Sequence, residues 1–195
     1  MTEGRKAKLV IVVGATGTGK TTWLINLCKQ IGYTNALAYV SELNIDDKVF
    51  KPFKTITELQ AYTGGWAKLS DIDIEYKDLM QKVIGGKSTG YRNGAFIVDD
   101  AGEYEDEKVT DELKKLARMK RHISVDLFYI YHGLTDIPIQ LFKYATDIVM
   151  FHTTDEPGYK LRKIPRAKEL FAAKQTLQTM FLNGHQYQPI VLKLS

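Results

Sequence analysis

One cysteine, Cys28, occurs in 195 residues, so the chain has no internal disulfide and suits a reducing, cytoplasmic setting. Long apolar runs are also missing. None approaches the roughly 20 residues that a membrane-spanning helix needs, and no secretory leader opens the sequence, so no transmembrane segment is expected. Internal repeats, low-complexity tracts and flexible linkers are absent, which favours one domain over residues 1–195. No Asn-Lys-x-Asp follows Asp99-Asp100-Ala101-Gly102, so that Asp-x-x-Gly mimic lacks the guanine reader of a GTPase. Charge of one sign is not in large excess. The net value is +4, which permits contact with nucleic acid without demanding it. Hydrophobic content of 44% and charged content of 26% are ordinary for a soluble globular chain.

What is present is a phosphate loop. Gly14-Ala15-Thr16-Gly17-Thr18-Gly19-Lys20-Thr21 fits Gly-x-x-x-x-Gly-Lys-[Ser/Thr], and Thr22 follows it. The apolar run at residues 8–13 reads as a buried strand before the loop. After it, residues 22–31 read as a helix with Leu24, Leu27, Cys28 and Ile31 on one face, ended by Gly32. Such a loop works through its backbone. Glycines let successive N–H groups turn around an anion, and the helix N-terminus adds its dipole. Lys20 is expected to reach the β- and γ-phosphates, and the Thr21 hydroxyl to hold Mg²⁺.

Strands are expected at 36–40, 95–98, 125–131 and 147–151, and helices at 57–62, 74–84, 106–121 and 139–144. In the helix at 106–121, Val109, Leu113, Leu116 and Ala117 face inward. Pro165 suits the first turn of a last helix reaching about Lys174, and residues 180–182 and 190–194 read as a closing hairpin turned by Gly184. The alternation predicts an α/β three-layer sandwich with a mainly parallel sheet and a C-terminal β-hairpin. The core spans about residues 8–153, and 154–195 form the closing helix and hairpin.

Phe96-Ile97-Val98-Asp99-Asp100 is an apolar strand ending in two carboxylates. Ligands of parallel sheets bind at strand carboxyl ends, so Asp99 is expected beside Thr21 as a metal residue. Asp100 is the candidate for orienting or deprotonating the attacking water, with Glu103 as a competitor. Lys114, Arg118 and Arg121 share a helix face, either solvated or presenting an arginine finger to a neighbouring subunit. His132, ending the fourth strand, is either a γ-phosphate sensor or a capped strand end, and His122 reads as a helix-end residue. The glycine-rich stretch 85–94 carries Lys87, Tyr91 and Arg92 and is either a DNA-contacting loop or an ordinary connection.

In order, residues 14–22, 96–103, 118–126 and 131–138, closed by 145–151, resemble the FtsK–HerA superfamily of DNA-pumping ATPases. Within it, the chain is similar to the genome-packaging ATPases of tailless, internal-membrane viruses. Zonula-occludens-toxin-like assembly ATPases are close relatives. The resemblance implies an ATPase that uses ATP and Mg²⁺, a homo-oligomeric and usually hexameric ring, and viral DNA moved into a capsid. A capsid vertex or portal protein is an implied partner. The host cytoplasm is the implied location, with virion association. By position, Lys20 and Thr21 match the phosphate-loop residues, Asp99 the metal residue, Asp100 the catalytic acid, His132 the sensor, and Arg118 or Arg121 the finger. The family usually has Glu where this chain has Asp100. The alternatives are a phage assembly or DNA-extrusion ATPase, and a nucleoside or nucleotide kinase with residues 160–174 as a lid and Arg162 and Arg166 as clamps.

Overall fold

The computed structural model describes residues 6–40, 48–55, 57–58, 61–62, 64–70, 75–77, 79–80, 91, 93–104, 109–156, 158–164 and 166–194. Eight strands form one sheet: β1 (Leu9–Val13), β2 (Asn35–Val40), β3 (Lys51–Phe53), β4 (Gly65–Ser70), β5 (Gly94–Val98), β6 (Val125–Tyr131), β7 (Asp147–Met150) and β8 (Ile190–Lys193). Their order is β3-β4-β2-β5-β6-β1-β7-β8. Every pairing is parallel except that of β7 with β8.

Burial on both faces explains the unbroken apolar runs of β1 and β6. Val10 and Val12 point to the face covered by α1 (Lys20–Ile31), where Leu24, Cys28 and Phe151 complete a core. Leu9, Ile11 and Val13 point to the other face. There α2 (Asp111–Ile123) contributes Leu113, Leu116 and Ala117, and α3 (Ala167–Leu182) contributes Leu170, Ala173 and Leu177. The result is the expected three-layer sandwich.

Several boundaries depart from the sequence reading. The helix expected at 106–121 starts at Asp111, because the Thr110 side chain caps it by accepting the Leu113 N–H. Val109 is buried ahead of the helix rather than within it. Strands β3 and β4 were not expected. The C-terminal antiparallel pair forms with β7 as the partner of β8, while residues 180–182 are the last turn of α3. Gly184 follows that helix at φ 85°. Ile31 is 37% exposed rather than core, at the rim of a cavity of about 280 Å³ shared with Trp23, Leu27, Val149 and Val191.

Tyr91 is the clearest correction. It is 3% exposed, its hydroxyl accepts the Leu37 N–H at 3.1 Å, and the same hydroxyl donates to the Ala95 carbonyl. Burial pushes its phenol well above the ordinary value. It packs the sheet and cannot stack on DNA. Gly94 belongs to β5, where an added Cβ would lie 2.4 Å from the Asn35 carbonyl oxygen. Lys87, Arg92 and Pro165 lie outside the described residues. So do most of the expected helices at 57–62 and 74–84, although Thr57, Glu58, Tyr76, Lys77, Leu79 and Met80 are helical.

Candidate functional site

Three adjacent strand tips, those of β1, β6 and β5, carry the expected residues to one place. The phosphate loop leaves β1 at Gly14, whose N–H donates to the Tyr131 carbonyl at the end of β6. An added Cβ at Gly14 would stand 2.5 Å from the Phe151 Cβ, so only glycine lets β7 pass so close. The Ala15 N–H donates to the His152 carbonyl at 2.8 Å. Gly17 and Gly19 have φ of 79° and 86°, turns that a side chain would strain. Gly19 is the left-handed cap of α1, so the loop ends on the helix N-terminus.

Lys20 is 6% exposed and folded back on its own loop. Its Nζ donates to the Gly14 carbonyl at 2.7 Å and the Ala15 carbonyl at 3.1 Å. Burial lowers its pKa, against the opposing fields of Asp99 and Asp100. A triphosphate supplies stronger acceptors than two neutral carbonyls, so a bound substrate draws this ammonium away from them.

Asp99 ends β5 and is 3% exposed. Its Oδ1 accepts the Asp100 N–H at 3.2 Å, while Oδ2 is buried with no hydrogen-bond partner among the described residues. Burial, then the charge of Asp100, push its pKa up to about 6. A buried carboxylate oxygen without a donor, at the tip of a strand beside a phosphate loop, fits a hard divalent cation such as Mg²⁺. Thr21, the expected companion oxygen, is half-buried on the first turn of α1.

That raised pKa makes a stability prediction for the nucleotide-free protein. In the unfolded chain Asp99 ionises near its ordinary 3.8, whereas the folded protein holds the proton to about 6. Stability is therefore lost as pH rises through this window and stays lost above it, by about 3 kcal/mol at most. Asp99→Asn removes the cost. Without nucleotide or metal, the variant is expected to melt at least about 5 °C higher than the parent at pH 7.5. The gap should close by pH 4. Equal melting temperatures at both pH values would contradict the buried, ionised reading of Asp99.

Asp100 sits at φ 51° and ψ 42°, a left-handed backbone that aspartate tolerates better than most residues. This twist turns the chain directly after β5. Its Oδ1 meets His132 Nε2 at the tip of β6. On the other side of the ring, Nδ1 lies 3.2 Å from the Thr16 hydroxyl, and which of the two donates follows the ring's tautomer. His132 thus ties the acid to the phosphate loop. Glu103 is on the short turn Ala101–Glu103 and is exposed, whereas Asp100 is buried beside Lys20.

Arg118, Arg121 and His122 are exposed on the last turns of α2. That helix starts just beyond the strand tip and runs back toward Val125, the beginning of β6. At 1.5 Å per residue, Arg118 and Arg121 lie roughly 10 and 15 Å down the helix from Asp111.

The helix that carries the lid candidate is built into the sandwich. Arg166 donates to the Lys193 carbonyl on β8 and pairs with Glu169 at 3.5 Å. Lys174 pairs with Glu156 at 3.3 Å, and Leu170, Ala173 and Leu177 are core residues.

A phosphate loop on β1, acids on β5 and a polar strand tip on β6 between them define a P-loop NTPase. The sequence matches the family described as Poxvirus A32 protein over residues 4–186, and the chain belongs to that family. Solved structures share the fold. The genome packaging NTPase B204 from Sulfolobus turreted icosahedral virus 2 in complex with AMP has a TM-score of 0.74 at 20% identity, covering 98% of this chain and 94% of that one. Its complex with AMPPCP has a TM-score of 0.73 at 20% identity, covering 96% and 92%. The N-terminal domain of zonular occludens toxin from Neisseria meningitidis has a TM-score of 0.50 at 15% identity, covering 77% and 79%. No curated protein matches the sequence.

Sequence reasoning named the charged members of the site. It missed that Thr16 and Asp100 meet through one imidazole, and it missed Tyr187, whose ring lies over Gly19. No spacing rule links positions so far apart in the chain.

Proposed function

We propose that this single-domain chain is an ATP-hydrolysing, oligomeric motor that packages viral DNA into a capsid. The observation that carries the hydrolytic part is the bridge from Asp100 through His132 to Thr16, which holds an acid against the phosphate loop. The loop from Gly14 to Thr22 cradles the phosphates through its amides beyond Ala15, and Lys20 offsets the charge that develops on them. Thr21 and Asp99 hold Mg²⁺, which when bound supplies charge neutralisation on the phosphate oxygens. Asp100 accepts the proton of the attacking water as the new P–O bond forms on the γ-phosphorus and the β–γ bridge breaks. His132 positions Asp100 and senses the γ-phosphate through the same ring.

Membership of the Poxvirus A32 family and a shared fold with a packaging NTPase over nearly the whole chain support packaging. The zonular occludens toxin domain aligns with less of the chain, which ranks DNA extrusion second. A kinase needs a mobile clamp over its acceptor, and Arg166 is instead tied to β8 and Glu169. DNA is the cargo, a ring of identical subunits (six in the family's usual form) is the working unit, and a capsid vertex or portal protein receives it. The host cytoplasm is its place of work, and the assembled virion a second one.

Phosphate release from ATP, with no acceptor added, tests this reading. A ring motor is expected to show stimulation by DNA and a steep rise of specific activity with protein concentration. Silence until a small acceptor is added would identify a kinase instead.

Arg118 and Arg121, exposed near the end of α2, are the candidate fingers for a neighbouring subunit. An Arg118→Ala/Arg121→Ala double variant and an Asp100→Asn variant are each expected to be inactive alone. Mixed, they form some interfaces with both an intact acid and intact arginines, and activity partly recovers. No recovery in mixtures that do co-assemble would remove these arginines from the shared site.

A further inference from the structure

The triphosphate has a direction across this sheet. Asp99, Asp100 and His132 mark the γ-phosphate end over β5 and β6, and the loop amides lie at the tip of β1. In the strand order β5-β6-β1-β7-β8, the nucleoside must leave on the far side of β1, over β7 and β8. An aromatic ring waits there. An added Cβ at Gly19 would lie 3.2 Å from Tyr187 Cδ1 and 4.0 Å from Cγ, so the ring packs directly on the loop where α1 begins. Yet Tyr187 is 62% exposed, so one side of the ring stays open while the other touches the loop.

The segment carrying Tyr187 is held rather than loose. At its start, the Gly184 N–H donates to the Phe181 carbonyl and the His185 N–H to the Met180 carbonyl, closing α3. At its end, Ile190 pairs with Met150 on β7, two residues before His152. The His152 ring stacks on Phe181 at 3.9 Å and 11°, and its Nε2 meets Gln178 Oε1 at 2.7 Å. The His152 carbonyl accepts the Ala15 N–H. The 183–189 connection is thus anchored at both ends, to α3 and to β7, and the His152 carbonyl joins that end of the sheet to the phosphate loop.

We infer that Tyr187 is the platform on which the base of the bound nucleotide stacks. This rests on the phosphate-loop reading and extends it to the nucleoside end. Stacking uses the π-face that every base has, so the platform serves adenine and guanine alike. It also gives Gly19 a second reason to be glycine: a side chain there would strain the left-handed backbone and displace the ring.

Calorimetry and steady-state kinetics on the full chain test the assignment, with ATP and inorganic tripolyphosphate as probes in the presence of Mg²⁺. Tyr187→Ala is expected to weaken ATP binding and raise KM for ATP about tenfold, with the loss in KM rather than kcat. Tyr187→Phe keeps the ring and stays within about twofold of the parent, a margin small against that tenfold effect. Tripolyphosphate, which has no base, should bind the parent and Tyr187→Ala equally, which also shows that the variant is folded. Unchanged ATP affinity in Tyr187→Ala overturns the inference, as does an equal loss for ATP and tripolyphosphate. If the parent binds neither probe, the phosphate-loop reading itself has failed.

Discussion

Asp100→Asn is expected to lower ATP hydrolysis by about 10²–10⁴ while leaving nucleotide affinity nearly intact. The reasoning is geometric first. Asp100 occupies a left-handed backbone, φ 51°, which asparagine also adopts, so the turn after β5 survives the change. The amide keeps an oxygen for the His132 N–H and nearly the same volume. What disappears is the negative charge and the basicity that draws a proton from water. Single-turnover phosphate release, with ATP affinity measured alongside, separates the two. A variant that loses affinity and rate together would mean that Asp100 shapes the pocket instead. A glutamate at this position would add one methylene and with it reach toward the water. In this chain His132 holds the shorter acid from behind, which favours Asp100 over the exposed Glu103.

Lys20→Ala is expected to reduce turnover by a comparable factor, on the order of 10²–10³ or more, for a different reason. In the nucleotide-free protein the ammonium is nearly buried and satisfied by two loop carbonyls. It is also flanked by the fields of Asp99 and Asp100, which favour its charged form. Substrate therefore meets a fixed positive charge among inward-facing amides. Removing it deprives the transition state of a cation in a poorly solvated place and leaves two acids facing the phosphates unopposed. Loss of turnover that exceeds loss of affinity is the expected pattern. Full activity in Lys20→Ala would contradict the assignment outright.

Periodicity revealed most of the sandwich because its central strands are buried on both faces and its phosphate loop is written in contiguous residues. The failures have local causes. Strand β3 is three residues long, includes Pro52 and lies at the sheet edge, so it carries almost no apolar signal. Strand β4 follows Gly64 and opens on Gly65, both at positive φ, and its start reads as a turn. Residues 180–182 look like a short strand because the apolar triplet precedes Gly184, yet they are the last turn of α3, where Met180 packs against the core and Leu182 is 75% exposed. Tyr91 looked solvent-facing because glycines and cations surround it in sequence. Two backbone partners, Leu37 and Ala95, recruit its hydroxyl into the sheet instead.

The site divides in the same way. Lys20, Thr21 and Asp99 follow from motif and strand end, because a strand's direction fixes what its last residue can reach. The His132 bridge and the ring over Gly19 depend on contacts between segments 32, 116 and 168 residues apart, namely Asp100 with His132, Thr16 with His132, and Gly19 with Tyr187. Only the assembled sheet, with β6 between β1 and β5 and β8 folded back beside β7, brings them together.

A crystal structure of the protein soaked with Mg²⁺ and a non-hydrolysable ATP analogue is the most direct test of the shared site. The account predicts triphosphate cradled by the loop of residues 14–22, Lys20 Nζ drawn off the Gly14 and Ala15 carbonyls onto the phosphates, and one metal ion between Thr21 and Asp99. Analogue bound elsewhere, or Lys20 still on its own loop with Asp99 remote from the metal, would contradict it.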